Sequence, residues 1–154
     1  IELELMYQVT EAWDLMVTYG YLEAEYKDYL ADLTGDGIIT DNSGLIPRNT
    51  PENTFGFTTS YTAQLGNGEL KGRVSYRFRD EMNSDSSNNP LGDLDSIENV
   101  NATLSYSVDN YSITLWGRNL TDEREQRWAT IGGLTSRGWW NEPSTVGVTF
   151  NVSY

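Results

Sequence analysis

The feature that most constrains the fold is a strict alternation of apolar and polar residues over positions 144–154. Residues of one parity are apolar: Val146, Val148, Phe150, Val152 and Tyr154. Residues of the other parity are small or polar: Thr145, Gly147, Thr149, Asn151 and Ser153. Because successive side chains of a β-strand point to opposite faces, this period of two predicts a strand with one apolar and one polar face.

The same period of two recurs along the chain. It predicts six earlier strands, at positions 1–9, 13 to about 26, 54–63, 70–79, 99–108 and 111–118. The connections alternate between short turns (10–12, 66–68 and 109–110) and long polar loops (27–51, 80–96 and 120 to about 143). Outer-membrane barrels place short turns on the periplasmic side and long loops outside, whereas a soluble sandwich has no reason to separate them. The pattern therefore favours an all-β, transmembrane antiparallel β-barrel segment.

Aromatic residues of the apolar parity support a membrane environment. Several lie within a few residues of a short turn or of the last residue: Tyr7, Trp13, Tyr61, Tyr106, Tyr111 and Tyr154. Barrels carry such a girdle of aromatic residues at the membrane interface. Cross-strand aromatic pairing in a soluble sheet is the alternative explanation.

An odd number of strands indicates an incomplete barrel. Single-chain bacterial barrels have even strand counts, and an open sheet would leave two unpaired edges in lipid. The sequence also begins at Ile1, already inside a strand-like run. We therefore expect these strands to be the last seven of a larger barrel.

The composition excludes several classes of function. The formal charge of -13, from 23 acidic and 10 basic residues, disfavours nucleic-acid binding, which needs a positive surface. Cysteine and histidine are both absent, which removes disulfides, thiolate metal sites and the commonest catalytic acid or base. No nucleophile with an adjacent base is visible. We therefore predict that the chain is not an enzyme.

A family resemblance comes from three stretches. Residues 117–123 read G-R-N-L-T-D-E, and Asn119, Leu120, Asp122 and Glu123 resemble the N-L-x-D-E box before the last strand of TonB-dependent outer-membrane receptors. The closing strand, with Phe150, Val152 and Tyr154, resembles the signal read by the barrel-assembly machinery. Residues 46–51, I-P-R-N-T-P, resemble the P-x-x-x-P segment that leads into a strand of this family.

This resemblance implies a 22-stranded barrel in the outer membrane of a Gram-negative bacterium. The family's barrels are filled by an N-terminal plug, and they import scarce nutrients, most commonly ferric siderophores, with energy from TonB. Residues 1–154 would then be a C-terminal portion of the barrel, in contact with lipid, the remaining strands and the plug. By the same resemblance, the plug and the TonB-contacting segment would lie outside residues 1–154. A passive porin-type barrel and a soluble, calcium-dependent, carbohydrate-binding β-sandwich are the alternatives.

Basic residues of the polar parity form a predicted ladder facing the barrel lumen. They are Lys71, Arg73, Arg77 and Arg79 on one strand and Arg118 two strands later. Half of the chain's bases thus share one face of an otherwise acidic protein. They could guide an anionic ferric chelate through the lumen or pair with acidic residues of the plug.

The first long loop contains a possible calcium site. Residues 32–38, D-L-T-G-D-G-I, resemble the start of a D-x-[DN]-x-[DN]-G calcium loop. Its ligands would be Asp32, Thr34, Asp36 and the carbonyl of Ile38. Position twelve is Ser43 and not the usual Glu, and Asp41 could substitute as a ligand. A Gly/Asp-rich turn without metal is the other interpretation.

Three tryptophans lie in the last long loop, at Trp128, Trp139 and Trp140. They could stack on a sugar or an aromatic ligand, or they could rest at the outer membrane interface. The sequence leaves both roles open.

Overall fold

The computed structural model describes residues 1–124, 126–132 and 135–154, and it is built almost entirely of β-structure. Within these residues there are thirteen strands: β1 (Glu2–Thr10), β2 (Trp13–Tyr21), β3 (Leu30–Ala31), β4 (Thr40–Asp41), β5 (Asn53–Leu65), β6 (Gly68–Arg79), β7 (Met82–Asn83), β8 (Asp93–Leu94), β9 (Ile97–Val108), β10 (Tyr111–Arg118), β11 (Gln126–Gly132), β12 (Thr135–Trp140) and β13 (Thr145–Val152). A single turn of 3₁₀ helix, Pro90–Gly92, precedes β8. No helix in the described part of the chain is long and apolar enough to cross a membrane.

Seven long strands form one open sheet in the order β1-β2-β5-β6-β9-β10-β13. Every neighbouring pair is antiparallel, and each strand pairs with the next long strand along the chain. β1 and β13 are the two edges of this sheet. The arrangement confirms the predicted antiparallel meander and contradicts the alternative of a two-sheet sandwich.

The pairing register keeps each parity on one face across all seven strands. Along one row, Val17 pairs with Phe57, Phe57 with Tyr76 and Tyr76 with Val100. Along another, Leu104 pairs with Leu115 and Leu115 with Val148. We call this apolar side the outer face. The opposite side, which carries Ser60, Arg73, Thr103 and Trp116 on one row, is the lumen face.

Large apolar side chains of the outer face are exposed. In β13, Val148 is 62% and Phe150 is 64% exposed, so neither packs against a second layer. The buried apolar residues of the described chain are Leu94, Ile97 and Ala129, all at the end of the sheet that carries the long loops. An exposed apolar face of this extent indicates a lipid environment or a further protein surface.

Aromatic side chains mark both ends of the outer face. Near the short turns, Trp13 pairs with Tyr61, and the Tyr111 and Phe150 rings stack with centroids 6.2 Å apart. At the opposite end, the centroids of Phe55 and Tyr76 are 6.0 Å apart. The first belt was predicted from the sequence, and the second was not.

One predicted strand boundary was wrong, and the long loops contain short strands that the alternation did not predict. The second strand ends at Tyr21 and not near position 26, because Tyr21 pairs with Asn53, the first residue of β5. Beyond this pair the two segments form one further hydrogen bond, from the Leu22 N–H to the Glu52 carbonyl, and then separate. Each long loop contains a small hairpin: β3–β4, β7–β8 and β11–β12.

Candidate functional site

A concavity of about 850 Å³ lies on the lumen face near the long loops. Its polar lining comes from neighbouring strands, with Arg77 of β6, Asn99 and Asn101 of β9, and Arg118 of β10. Trp139 and Trp140 of β12 complete the wall on the loop side. The volume is in the range of ligand-binding clefts, and the lining combines cationic, amide and aromatic groups that could orient an anionic ligand.

The Arg118 guanidinium lies over the ring of Trp116, with 5.2 Å between its carbon and the ring centroid. This is cation–π distance. The indole Nε1 of Trp116 donates to the Thr149 hydroxyl at 3.1 Å. The ring lies directly against Gly147, where any Cβ would collide with it. Gly147 therefore allows the indole to lie flat on β13 and to support Arg118.

The structure divides the predicted basic ladder into parts with different surroundings. Arg77 and Arg118 line the concavity. Arg73 lines a smaller hollow of about 420 Å³ with Asp14, nearer the short turns. Arg79 donates to the carbonyls of Asp80 and Asp95 at 2.9 and 3.0 Å, so it binds the loop backbone. Lys71 lies on the same face, between Thr62 and Ser105.

Asn119 is the buried polar residue that joins this site together, with 5% of its surface exposed. Its amide group donates to the carbonyls of Glu123 and Glu142, at 3.0 Å each. Its side-chain oxygen accepts from the Asn99 amide at 3.0 Å and from the Glu123 N–H at 3.1 Å. Its own N–H donates to the Asn101 side chain at 3.0 Å. The side chain thus connects β9, the following turn and the segment before β13.

Other residues of the predicted family box complete the same turn. Leu120 covers Gly117 so closely that a Cβ there would come within 2.6 Å of it. Asp122 has a φ of 53° and accepts a hydrogen bond from the Ser144 N–H at 2.9 Å. The box therefore reverses the chain after β10 and fixes the start of β13.

Asn99 and Asn101 were missed as functional candidates by the sequence analysis. Both lie on the polar parity of β9, and the Asn101 amide donates to the Asn99 side chain at 2.9 Å. A repeated asparagine on the lumen parity, opposite the box, is the signal that could have identified them.

The structure places two of the three loop tryptophans beside the concavity. Trp139 is 73% and Trp140 is 58% exposed. The side chain of Trp128 lies outside the described part of the structure, although its backbone pairs with Trp139. Ligand stacking by these residues stays a prediction.

The first long loop folds around the carboxylate of Asp32. That carboxylate accepts bonds from the N–H groups of Gly35 and Gly37, both at 2.7 Å, and from both the N–H and the hydroxyl of Thr34 at 3.2 Å. The Gly37 N–H, above all, holds the pKa of Asp32 below its usual range. Asp36 accepts from the Ile38 N–H, and Asp41 from Ser43.

These bonds bear directly on the calcium prediction. Among the described residues, no group of three or more acidic side chains is arranged to hold a metal ion. Ca²⁺ at this loop would share the oxygens of Asp32 and Asp36 with the donors that already bind them. The calcium site stays a prediction.

The three long loops contact one another around the site. Asn88 and Ile46 exchange two hydrogen bonds of 2.8 Å, which join the first loop to the second. The buried Ser84 hydroxyl donates to the Ala129 carbonyl at 3.2 Å, which joins the second loop to β11. Leu94, with 1% of its surface exposed, is buried in this loop layer, by which we mean the described residues of 22–52, 80–96 and 119–144.

Comparison with known proteins gives a family and a fold. Residues 1–120 match the family model described as TonB dependent receptor-like, beta-barrel. No curated protein matches the chain.

Two solved structures are similar over 99% of the chain. The ferric yersiniabactin uptake receptor FyuA from Yersinia pestis has a TM-score of 0.82 and 16% sequence identity. The siderophore receptor PiuA from Acinetobacter baumannii has a TM-score of 0.78 and 22% identity. The chain covers only 23% and 21% of these two structures, so the likeness concerns the fold of one barrel segment.

Proposed function

The chain belongs to the TonB-dependent receptor-like β-barrel family, and on that premise we propose that it forms part of the wall of an outer-membrane transporter. In this proposal the complete protein imports a scarce nutrient and uses TonB as its energy source. The wall segment contacts outer-membrane lipid, the remaining barrel strands and a plug domain, and it is inserted by the barrel-assembly machinery. The family consists of transporters, and the proposal includes no enzymatic activity.

The observation that carries this proposal is the exposed apolar face between two aromatic belts. Tyr61 and Phe55 belong to opposite belts of the same strand. They are six positions apart, which corresponds to about 20 Å along the strand. Because the strands of outer-membrane barrels tilt by about 35–45°, this distance spans about 14–16 Å of the apolar band, which is about 25 Å tall in such barrels. The exposed apolar residues between the two belts therefore fit within a lipid-facing band.

We propose an anionic ferric chelate of the siderophore class as the transported substrate. Arg77 and Arg118 supply positive charge in the concavity, and Trp139 and Trp140 supply aromatic surface beside it. One similar solved structure is described as a ferric yersiniabactin uptake receptor and the other as a siderophore receptor, which supports a ferric chelate here. Arg73 lies nearer the short turns with Asp14, and we assign that hollow to contact with the plug.

Uptake of radioactive iron by cells that produce the complete protein tests this proposal. The probes are ferric complexes of catecholate, hydroxamate and phenolate chelators, supplied one at a time under iron limitation. The double substitution Arg77→Ala and Arg118→Ala is expected to lower uptake of the transported complex about tenfold or more, because two charge-assisted contacts are lost. Lys71→Ala is the matched control on the same face, and it should leave uptake unchanged.

Deleting TonB separates this proposal from the passive porin alternative. Uptake should stop in the TonB-deficient strain and return with a plasmid copy of TonB. Uptake that continues at the same rate without TonB would show passive passage. Equal losses in the Lys71→Ala protein would show that general positive charge, and not the concavity, determines uptake.

A further inference from the structure

We propose that Asn119 is a positioning residue that holds the Trp139–Trp140 segment in place beside the lumen concavity. The inference rests on the proposed function, because it treats the concavity as the ligand site. Asn119 lines the concavity at its rim, but its side-chain atoms are engaged by the protein itself.

The two donor hydrogens of the Asn119 amide are what hold this segment. One binds the carbonyl of Glu142, two residues after Trp140, and the other binds the carbonyl of Glu123. The Asn141 side chain donates to the same Glu123 carbonyl at 2.9 Å. Residues 141 and 142 are therefore tied to one point in the turn after β10, and the adjacent tryptophans are held with them.

The acceptor side of the same amide is anchored in the sheet. The Asn99 amide of β9 donates to the Asn119 oxygen, and the Asn119 N–H donates to Asn101 on the same strand. Asn99 and Asn101 pair with Arg77 and Ser75 of β6, so this anchor belongs to the sheet. Asn119 thus connects a strand of the sheet that lines the concavity to the tryptophan segment that closes one side of it.

Position 119 needs a residue that tolerates a positive φ, accepts hydrogen bonds through its side chain and donates two, and asparagine meets all three requirements. The backbone φ of 50° is in the left-handed region, which asparagine and glycine tolerate well. Glycine would keep this backbone and lose the side chain. Aspartate would keep the acceptor and lose both donor hydrogens. The two substitutions therefore separate a role in the turn from a role in holding residues 141 and 142.

A matched position exists at the other end of the same two strands. Asn110, in the short turn before β10, donates through its side chain to the Ser153 carbonyl at 2.8 Å. It also joins β10 to β13 through an asparagine amide, but it lies far from the concavity. Asn110→Asp therefore removes a comparable bond without touching the tryptophan segment.

Hydrogen–deuterium exchange of the complete protein in detergent tests the inference. In Asn119→Asp and Asn119→Gly, amides of residues 139–142 should exchange about tenfold faster, because the bonds that close this segment are lost. Amides of β10 and β13 should stay within about twofold of the unchanged protein. Asn110→Asp should leave residues 139–142 unchanged. In uptake assays, Asn119→Asp should raise the half-saturating concentration of the transported ferric chelate and leave the maximal rate unchanged.

Three results would overturn the inference. Unchanged exchange at residues 139–142 in both variants would show that Asn119 only shapes the turn. An equal rise across β10, β13 and residues 139–142 would show a general loss of stability. If neither variant inserts, as judged by the heat-dependent gel shift of folded barrels, Asn119 is required for assembly and not for positioning. If the unchanged protein transports no ferric chelate, the proposed substrate fails while the exchange result still decides the role of Asn119.

Discussion

The seven-stranded sheet and the loop layer are stabilised in different ways. In the sheet, backbone pairing joins all six pairs of neighbouring strands, with one irregularity between Gln8 and Thr10, and large outer-face side chains such as Leu104 and Phe150 are exposed. In the loop layer, strands are short, and the buried residues include Leu94, Ala129, Ser84 and Asn119. The small apolar core of the described residues thus lies at the loop end of the sheet, with Leu94 and Ala129 in the loop layer and Ile97 at the start of β9.

This difference shows where each region obtains its stability. The outer face of the sheet buries little apolar surface within the chain, so in the proposed membrane barrel lipid supplies that contribution. The loop layer is held by its own contacts, chiefly hydrogen bonds from side chains to backbone, such as those of Ser84, Asn88 and Asn119. The sheet should therefore respond to changes in lipid-facing side chains, and the loop layer to changes in single polar or buried residues.

The largest expected effect tests the outer face of the sheet. Leu104→Arg places a charge near the middle of a lipid-facing strand and should lower the free energy of unfolding by about 2–4 kcal/mol. Thr103→Arg, one residue away on the lumen face, should cost about 1 kcal/mol or less, since its charge would face a wet lumen. A folding titration of the complete protein in lipid vesicles measures both. Similar losses at the two sites would contradict the assignment of faces.

The next effect tests whether the loop layer has a core of its own. Leu94→Ala should cost about 2–3 kcal/mol of local stability, because a fully buried leucine leaves a cavity. Faster exchange of the amides in residues 80–96, with unchanged exchange in β6 and β9, is the expected measurement. Leu91→Ala, at an exposed position nearby, is the control. Unfolding of the sheet together with the loop would show that the two regions are one cooperative unit.

A smaller effect tests the packed position on the lumen face. Gly147→Ala should cost about 1–2 kcal/mol, because the new methyl group displaces the ring of Trp116. Gly72→Ala should be close to neutral, since a Cβ there meets Leu104 only at 3.8 Å. Thermal unfolding in detergent compares the two variants. A neutral Gly147→Ala would mean that the support of Arg118 by Trp116 needs no contact with β13.

The smallest effect concerns acid and the first long loop. Backbone donors, the Gly37 N–H first, lower the pKa of Asp32 in the folded loop. The ionised carboxylate therefore stabilises the loop above the unfolded pKa of about 3.9. That contribution is lost as pH falls through the lower pKa of the folded state. Pepsin cleavage within residues 22–52 should increase over this range, while the sheet stays protected.

Asp32→Asn supplies the comparison for the acid experiment. The amide oxygen can still accept hydrogen bonds, but it has no proton to gain in this range. Pepsin cleavage of this variant, measured at each pH beside the unchanged protein, should lack the increase that protonation of Asp32 causes. The same step in both proteins would assign the acid sensitivity to other groups, such as Asp41 or Asp85, whose pKa values are also lowered by serine donors.

The sheet was predictable because its two faces meet different surroundings. The period of two identified all seven long strands, and the parity assigned to Leu104, Leu115 and Val148 agrees with the observed register. The end of β2 at Tyr21 was not predictable from local sequence. It depends on where the distant residue Asn53 begins to pair.

The loop layer was less predictable because its contacts are distant in sequence and polar. The bond from Ser84 to the Ala129 carbonyl joins residues 45 positions apart and leaves no periodic pattern. The box at Asn119 was identified by resemblance, but its hydrogen-bond partners were not. Asn99 and Asn101 became visible as part of the site only when β9 was placed beside the box.

The alternation of short turns and long loops also bears on the order of folding. β5 with β6 and β9 with β10 are joined by two-residue turns, so each pair can form as a local hairpin. β13 instead pairs with β10 across about 26 residues, and closing a loop of that length costs about 2 kcal/mol more than closing a two-residue turn. We therefore expect β13 to pair with the preformed hairpins late in folding. Asn110 and Asn119 would then bind the carbonyls of Ser153 and Glu142, which flank its two ends.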